Sequence, residues 1–270
     1  MKQYTLQSIF LAFCALLALP GMATAATVFT DTFDSGAGTW AESGSYNSIS
    51  VVDDSSGIGS GNALTGDVSG SVNALTNGFS STTLSSIGDS ITLSFDYRWT
   101  ATGSATSRAP AFGLYNTNAT GSLDDDFGYQ LETNPADVRL SYEFGTQNTI
   151  LAGSDTDLLE TTLWNDYLGV NGNFSMTLTR IADSNADSFD DVNLSFSFID
   201  YATPANNLIT STIDTENQTF TFNEVAVRSG NRDFYIDNVA VTTIPEPASV
   251  LLLLGAFGLL AVSGRFGRKR

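Results

Sequence analysis

The central part of this 270-residue chain predicts an all-β fold, an antiparallel β-sandwich. Apolar and polar residues alternate with period two through many short runs, and clusters of Gly, Asn, Asp and Ser separate those runs. No convincing amphipathic helix interrupts the pattern.

The N-terminal residues follow the order of a secretory signal: a basic start at Lys2, an apolar core from Ile9 to Leu19, the helix breaker Pro20-Gly21, and the small-residue run Ala23-Thr24-Ala25. Cleavage is expected between Ala25 and Ala26. Residues 1–25 are then a signal helix, and the mature chain starts at Ala26.

Within the exported segment, Ile91, Leu93, Phe95, Tyr97 and Trp99 share one face of a strand, while Thr92, Ser94, Asp96 and Arg98 share the other. Tyr97 and Trp99 continue the apolar face and are expected in or beside the core. Further strands of this kind are expected at Phe174 to Ile181, Val192 to Ile199, Thr219 to Val227 and Phe234 to Val241. One hairpin can be given a register. Pairing Phe127 with Phe144, Tyr129 with Tyr142 and Leu131 with Leu140 puts six apolar side chains on one face and sets Glu132 opposite Arg139. Asn134-Pro135-Ala136-Asp137 joins the two strands as a β-turn with Pro in its second position.

Residues 26–243 form one domain of 218 residues. It holds 28 acidic residues (the 29 of the chain less Glu246) against six arginines, a net charge of −22. Such a surface makes nucleic acid an improbable partner. Cys14 leaves with the signal, so the mature domain has no disulfide, and packing or ions must hold it together. The domain also lacks histidine and lysine, which excludes Ser-His and Cys-His nucleophiles, lysine Schiff bases and histidine metal sites.

At the other end, Ile244-Pro245-Glu246-Pro247 precedes an apolar run from Ala248 to Val262 and then Arg265, Arg268, Lys269 and Arg270. A 15-residue helix rises only about 22 Å, a marginal span of a ~30 Å hydrocarbon core unless Ser263 is drawn in. The basic cluster would stay on the cytoplasmic side, leaving everything before Pro245 outside. This order resembles the PEP-CTERM sorting signal, with Pro245, Glu246 and Pro247 as the motif, a membrane helix at 248–263, and residues 244–270 as the whole tail. The resemblance implies an exosortase and the export machinery as partners, with delivery to the cell surface or the extracellular polymer matrix. A simple unprocessed membrane anchor is the alternative.

The domain resembles the concanavalin A-like lectin/glucanase superfamily, a jelly-roll fold, through its acidic-aromatic first strand Asp31-Thr32-Phe33-Asp34 and its closing strand Tyr235-Ile236-Asp237-Asn238-Val239. A galactose-binding-like jelly roll is the nearest competitor. By the first resemblance, calcium is the candidate cofactor, held by Asp31 or Asp34 with Asp237 where the sandwich closes. Asp183-Ser-Asn-Ala-Asp187 has the start of a calcium loop but lacks its glycine and closing glutamate, and it reads instead as a hairpin loop.

Carboxylates are the only obvious acid/base groups left, so glycoside hydrolysis is the one enzyme class worth testing. The domain's six glutamates are Glu42, Glu132, Glu143, Glu160, Glu216 and Glu224, and none forms the Glu-x-Asp-x-x-Glu motif of the superfamily's glucanases. Glu132 and Glu143 lie four strand positions apart in the hairpin, about 13 Å, too far for a paired mechanism. Trp40, Tyr46, Tyr115, Trp164 and Tyr167 lie in or beside polar segments and could form an aromatic platform for sugar. The expected function is a non-catalytic surface or matrix protein, with exopolysaccharide as candidate partner. Its candidate glycan face carries Asp96, Arg98, Glu132 and Glu143. A glycoside hydrolase of the same fold is the alternative.

Overall fold

The computed structural model describes residues 24–43, 48–53, 57–58, 61–67, 73–99, 111–117, 126–134, 137–144, 147–150, 169–203, 207–216, 218–229 and 234–246. The expected signal helix, apart from its last two residues, and the expected membrane helix at 248–263 lie outside them. Fifteen strands are found among the described residues, numbered here in chain order, and no helix.

β6 (Ser90–Trp99) follows its sequence pattern: Ile91, Leu93, Phe95 and Tyr97 are buried, and the polar residues between them are half-buried on the outer face. It lies inside the first sheet, next to β11 (Asn171–Ile181) and β15 (Phe234–Ile244). Outward from β11 follow β12 (Asp191–Asp200) and β13 (Leu208–Asp214). The other side of β15 is shared. β4 (Asn62–Asp67) pairs with Phe234–Ile236 and carries β3 (Ser48–Asp53) at its outer side, while β1 (Ala26–Asp31) pairs along Val239–Thr243.

The second sheet has the order β10 (Gln147–Ile150), β9 (Asp137–Phe144), β8 (Phe127–Asn134), β7 (Ala111–Asn116), β14 (Thr221–Ser229), β5 (Asn73–Thr83) and β2 (Ala41–Ser43). All the pairings are antiparallel. The β8–β9 register is the one the alternation predicts: Phe127 opposite Phe144, Tyr129 opposite Tyr142, Leu131 opposite Leu140 and Glu132 opposite Arg139.

The two sheets pack face to face through aromatic side chains. Phe112 of the second sheet meets Phe95 and Phe174 of the first, with ring centroids 4.6 and 5.0 Å apart. Aliphatic residues of both sheets, among them Leu93, Leu178, Leu194, Val225 and Val227, fill the space around them with essentially no exposed surface. Removing any one of these large side chains leaves a cavity in a dry interior, and Phe→Ala at such a position costs about 3–5 kcal/mol. One polar bond also crosses this layer: the buried Tyr129 hydroxyl donates to Asp214 Oδ2 at 2.9 Å, tying β8 to β13.

Asp183-Ser-Asn-Ala-Asp187 is part of the β11–β12 loop, as its hairpin reading expects. The Asp183 carboxylate accepts from the backbone of Asn185, Ala186 and Ser188, and Ala186 and Ser188 adopt positive φ. The bond from Ser188 is the main reason the Asp183 pKa is lowered.

Candidate functional site

The four residues expected to form one glycan face are carried by strands of two different sheets. Alternation decides whether a residue points in or out, but not to which sheet its strand belongs. Asp96 and Arg98 stand on β6 in the first sheet, whereas Glu132 and Glu143 stand on β8 and β9 in the second, across the core.

Asp96 is occupied within the fold. Its Oδ1 accepts from Asn173 Nδ2 at 3.0 Å and from the Tyr201 hydroxyl, and its Oδ2 accepts from Asn238 Nδ2 at 2.8 Å. The Tyr201 ring is half-exposed while its hydroxyl end is tucked against Asp96. Burial of that end, then the hydrogen bond and charge of Asp96, push the Tyr201 pKa above its ordinary 10. Arg98 places its guanidinium 4.5 Å from the centre of the Tyr235 ring.

The aspartates expected to hold calcium have these surroundings. Asp31 accepts from the backbone N–H of Phe33 through Oδ1 and from Trp40 Nε1 through Oδ2, both at 2.9 Å. Asp34 accepts from the Thr32 hydroxyl and lies against Gly61, where a Cβ would stand 2.8 Å from Asp34 Oδ1. Asp237 is buried at a bulge of β15 and accepts from the Asn238 N–H. Among the described residues, no group of three His, Cys, Asp or Glu side chains could hold a metal ion. Any cation at these aspartates would need backbone oxygens or water to complete its ligands.

The expected aromatic platform is dispersed. Trp40 packs partly buried against Phe29 and Phe33, and Tyr115 is fully buried. Tyr46, Trp164 and Tyr167 lie outside the described residues.

A different group of polar side chains does converge, on the outer face of the second sheet. Tyr115 of β7 stands beside Gly128 of β8 on one side and Glu224 of β14 on the other. Its ring lies over two glycines: a Cβ at Gly113 would stand 2.5 Å from Tyr115 Cε2, and one at Gly128 2.6 Å from Cδ1. Only side chains without a Cβ leave room for the ring to lie flat. Its hydroxyl donates to Gln130 Oε1 at 2.8 Å, and Gln130 is itself buried.

Asp126 precedes β8 on the same face by alternation and is also buried. Glu224, partly buried beside this group, is its accessible member. Burial, and then the negative charge of Asp126, raise the Glu224 pKa from its ordinary 4.5 to about 7, against a lowering contribution from a hydrogen bond with Thr76. At neutral pH this carboxyl is divided between its acid and its anion, so it can donate or accept a proton or a hydrogen bond.

Sequence reasoning missed this group because of a bulge. The register of β14 against β5 shifts between Phe222 and Glu224. Strict alternation from the buried Phe222 would send Glu224 inward, but at this irregularity, where β5 carries two residues more than β14, the phase changes: Val225 and Val227 point into the core and Glu224 stands beside Tyr115. The signal that could have found the group is the glycine pair: Gly113, two residues before Tyr115, and Gly128, directly before Tyr129, stand within strand-like sequence and mark a close approach.

Residues 243–269 match the PEP-CTERM protein-sorting motif. A search of curated proteins finds no match. Among solved structures, the chain is similar to arcelin-5, a lectin-like defence protein from Phaseolus vulgaris, at 12% identity and TM-score 0.47 over 82% of this chain and 99% of that one. It is similar to lectin II from Ulex europaeus at 11% and 0.46, over 81% and 100%. A PL-14 alginate lyase from Aplysia kurodai gives 14% and 0.49, over 80% and 98%. The chain, an antiparallel all-β sandwich by its own strand pairing, carries a PEP-CTERM sorting motif that begins within the last two residues of its last strand.

Proposed function

We propose that the chain is an exported protein, sorted to the cell surface or extracellular matrix by an exosortase system, whose non-catalytic sandwich associates with exopolysaccharide. The observation that carries this reading is the sorting motif at 243–269. Cleavage between Ala25 and Ala26 completes it and suits a first strand that begins at Ala26. So does the apolar segment 248–263, inserted as a short membrane helix until the tail is processed. The domain bounds that follow are 1–25, 26–243 and 244–270.

The glycan contacts in this reading lie at Glu224 and two partly exposed neighbours, its hydrogen-bond partner Thr76 and the adjacent Asn223. Amide, hydroxyl and carboxyl groups of this kind supply the oriented hydrogen bonds that sugars require. The test is binding of the purified segment 26–246 to a panel of polysaccharides, including the polymer of its own producing cells. Retention of that polymer, lost in Glu224→Ala, supports the reading.

A second reading, a carbohydrate-active enzyme, is favoured by the Glu224 carboxyl poised near neutrality beside Asp126. Turnover of any polysaccharide in the panel, abolished in Glu224→Gln, would replace the first reading by this one. Calcium at Asp31, Asp34 and Asp237 is tested on the same protein. A melting temperature that rises when calcium is added after chelation supports it, and an unchanged one removes it.

A further inference from the structure

The first residues of the sorting motif belong to the fold. β15 runs to Ile244, still paired with Ser90, and the chain then passes through Pro245 to Glu246 without a linker. The Glu246 N–H donates to Asp89 Oδ1 at 2.7 Å. The other oxygen of Asp89 accepts from the N–H groups of Ser85 and Ser86, both at 2.8 Å. Two backbone bonds between this turn and Arg180 of β11, Gly88 N–H to Arg180 O and Arg180 N–H to Asp89 O, pin it in place. Glu246 packs on Gly88, whose φ is +96°, so closely that a Cβ there would stand 3.1 Å from Glu246 Cγ.

Proline has no N–H, so Glu246 supplies the sole backbone donor of the Pro245-Glu246-Pro247 motif. Enzymes that take up extended peptides grip them through main-chain hydrogen bonds. Here the one donor the motif can offer is already engaged by a carboxylate, in a short charge-assisted bond on a rigid turn. We propose that Asp89 and Gly88 form a clasp that holds the sorting motif closed against the folded sandwich, and that the tail is processed only from the released state. The clasp rests on the reading that the tail is processed, and it adds a gate to it. The rate of processing then scales with the fraction of chains in which Glu246 has left Asp89.

The experiment follows loss of the tail from the full chain by pulse-chase and mass spectrometry in cells that carry the sorting system. In parallel, exchange of the Glu246 amide hydrogen is measured on the detergent-solubilised full chain. Asp89→Ala removes the acceptor, and Gly88→Ala presses on Glu246 from the other side. Asp183→Ala, which disturbs the β11–β12 loop and has no bond to Glu246, is the control. The clasp predicts a protected Glu246 amide in the parent, loss of that protection in both clasp variants, and tail loss faster by roughly ten-fold in Asp89→Ala but unchanged in the control. A Glu246 amide that exchanges freely in the parent overturns the clasp whatever the processing rate. Equal processing rates in parent and clasp variants overturn the gate alone, whereas tails retained by every chain sink the processing reading together with its gate.

Discussion

A Cβ placed on Gly128 would stand 2.6 Å from Cδ1 of Tyr115 and 2.4 Å from the backbone oxygen of Leu114. Replacing a strand glycine by alanine ordinarily stabilises, because glycine loses more backbone freedom on folding. Here the sign reverses. Gly128→Ala should lower stability by about 1–3 kcal/mol, since the Tyr115 ring or the β7 backbone must move. Gly113→Ala should behave alike, because its Cβ would meet both the ring and the Tyr129 carbonyl. Denaturant midpoints of the two variants check this, and the double variant with Tyr115→Ala should recover only the part due to the ring.

The raised pKa of Glu224 gives stability a pH dependence of defined sign. Between its unfolded value near 4.5 and its folded value of about 7, the native state binds more protons than the unfolded state at this group. The contribution of Glu224 to stability is therefore most favourable below pH 4.5, falls as pH rises through this window, and is fully unfavourable above about 7. Its open side to solvent tempers the size of the effect. Glu224→Gln should flatten this part of the curve and be more stable than the parent at pH 8, measured by thermal unfolding across the range.

Tyr129→Phe removes the hydroxyl that reaches Asp214 across the core. The ring keeps its packing, so the loss is that of the buried hydrogen bond to the Asp214 carboxylate, about 1.5–3 kcal/mol, together with the longer bond that the hydroxyl accepts from the Thr219 N–H at 3.4 Å. Equilibrium unfolding should show a lower midpoint with an unchanged denaturant slope, because both states keep their surface.

Asp96→Ala should cost about 1–3 kcal/mol, since it takes one acceptor away from Asn173, Tyr201 and Asn238 together. Binding of the polysaccharide panel should be unaffected, because Asp96 lies on the sheet opposite Glu224. A binding loss in this variant, with its fold intact by circular dichroism, would move the glycan face to the first sheet.

Deleting residues 248–270 should release the sandwich in soluble form, whereas replacing Pro245, Glu246 and Pro247 alone should leave unprocessed chain in the membrane. Fractionation with mass spectrometry of the C-terminus reads both. Surface protein that still carries Arg270 would leave a plain anchor in place of a processed tail.

Much of the fold was legible because local pattern and tertiary environment agree in it. Ile91 to Trp99 alternates and becomes β6, and the apolar pairs from Phe127 to Phe144 set a register that the structure keeps. What stayed hidden depends on partners far along the chain. Asp96 and Glu132 look equivalent in sequence, and only the pairing of β6 with β15 and of β8 with β7 separates them. Glu224 was obscured because an irregularity against β5, which carries two residues more there, changes the phase of its strand. Asp126 shows no sign of burial in a run of three aspartates, Asp124 to Asp126.

β15 has neighbours along both of its sides: β6 on one, and β4 followed by β1 on the other. It is also the strand of the sandwich that emerges last from the ribosome. Until it arrives, β1 has no partner, β4 has only β3, and the wall that should join them to β6 is missing. Pairings of such long sequence separation form late and slowly. A chain threaded through a secretion channel N-terminus first would therefore remain unable to complete its sandwich during passage, and would close it only when Phe234 to Ile244 had crossed. For an exported chain, as proposed above, the position of one strand would then tie completion of the sandwich to the end of its passage.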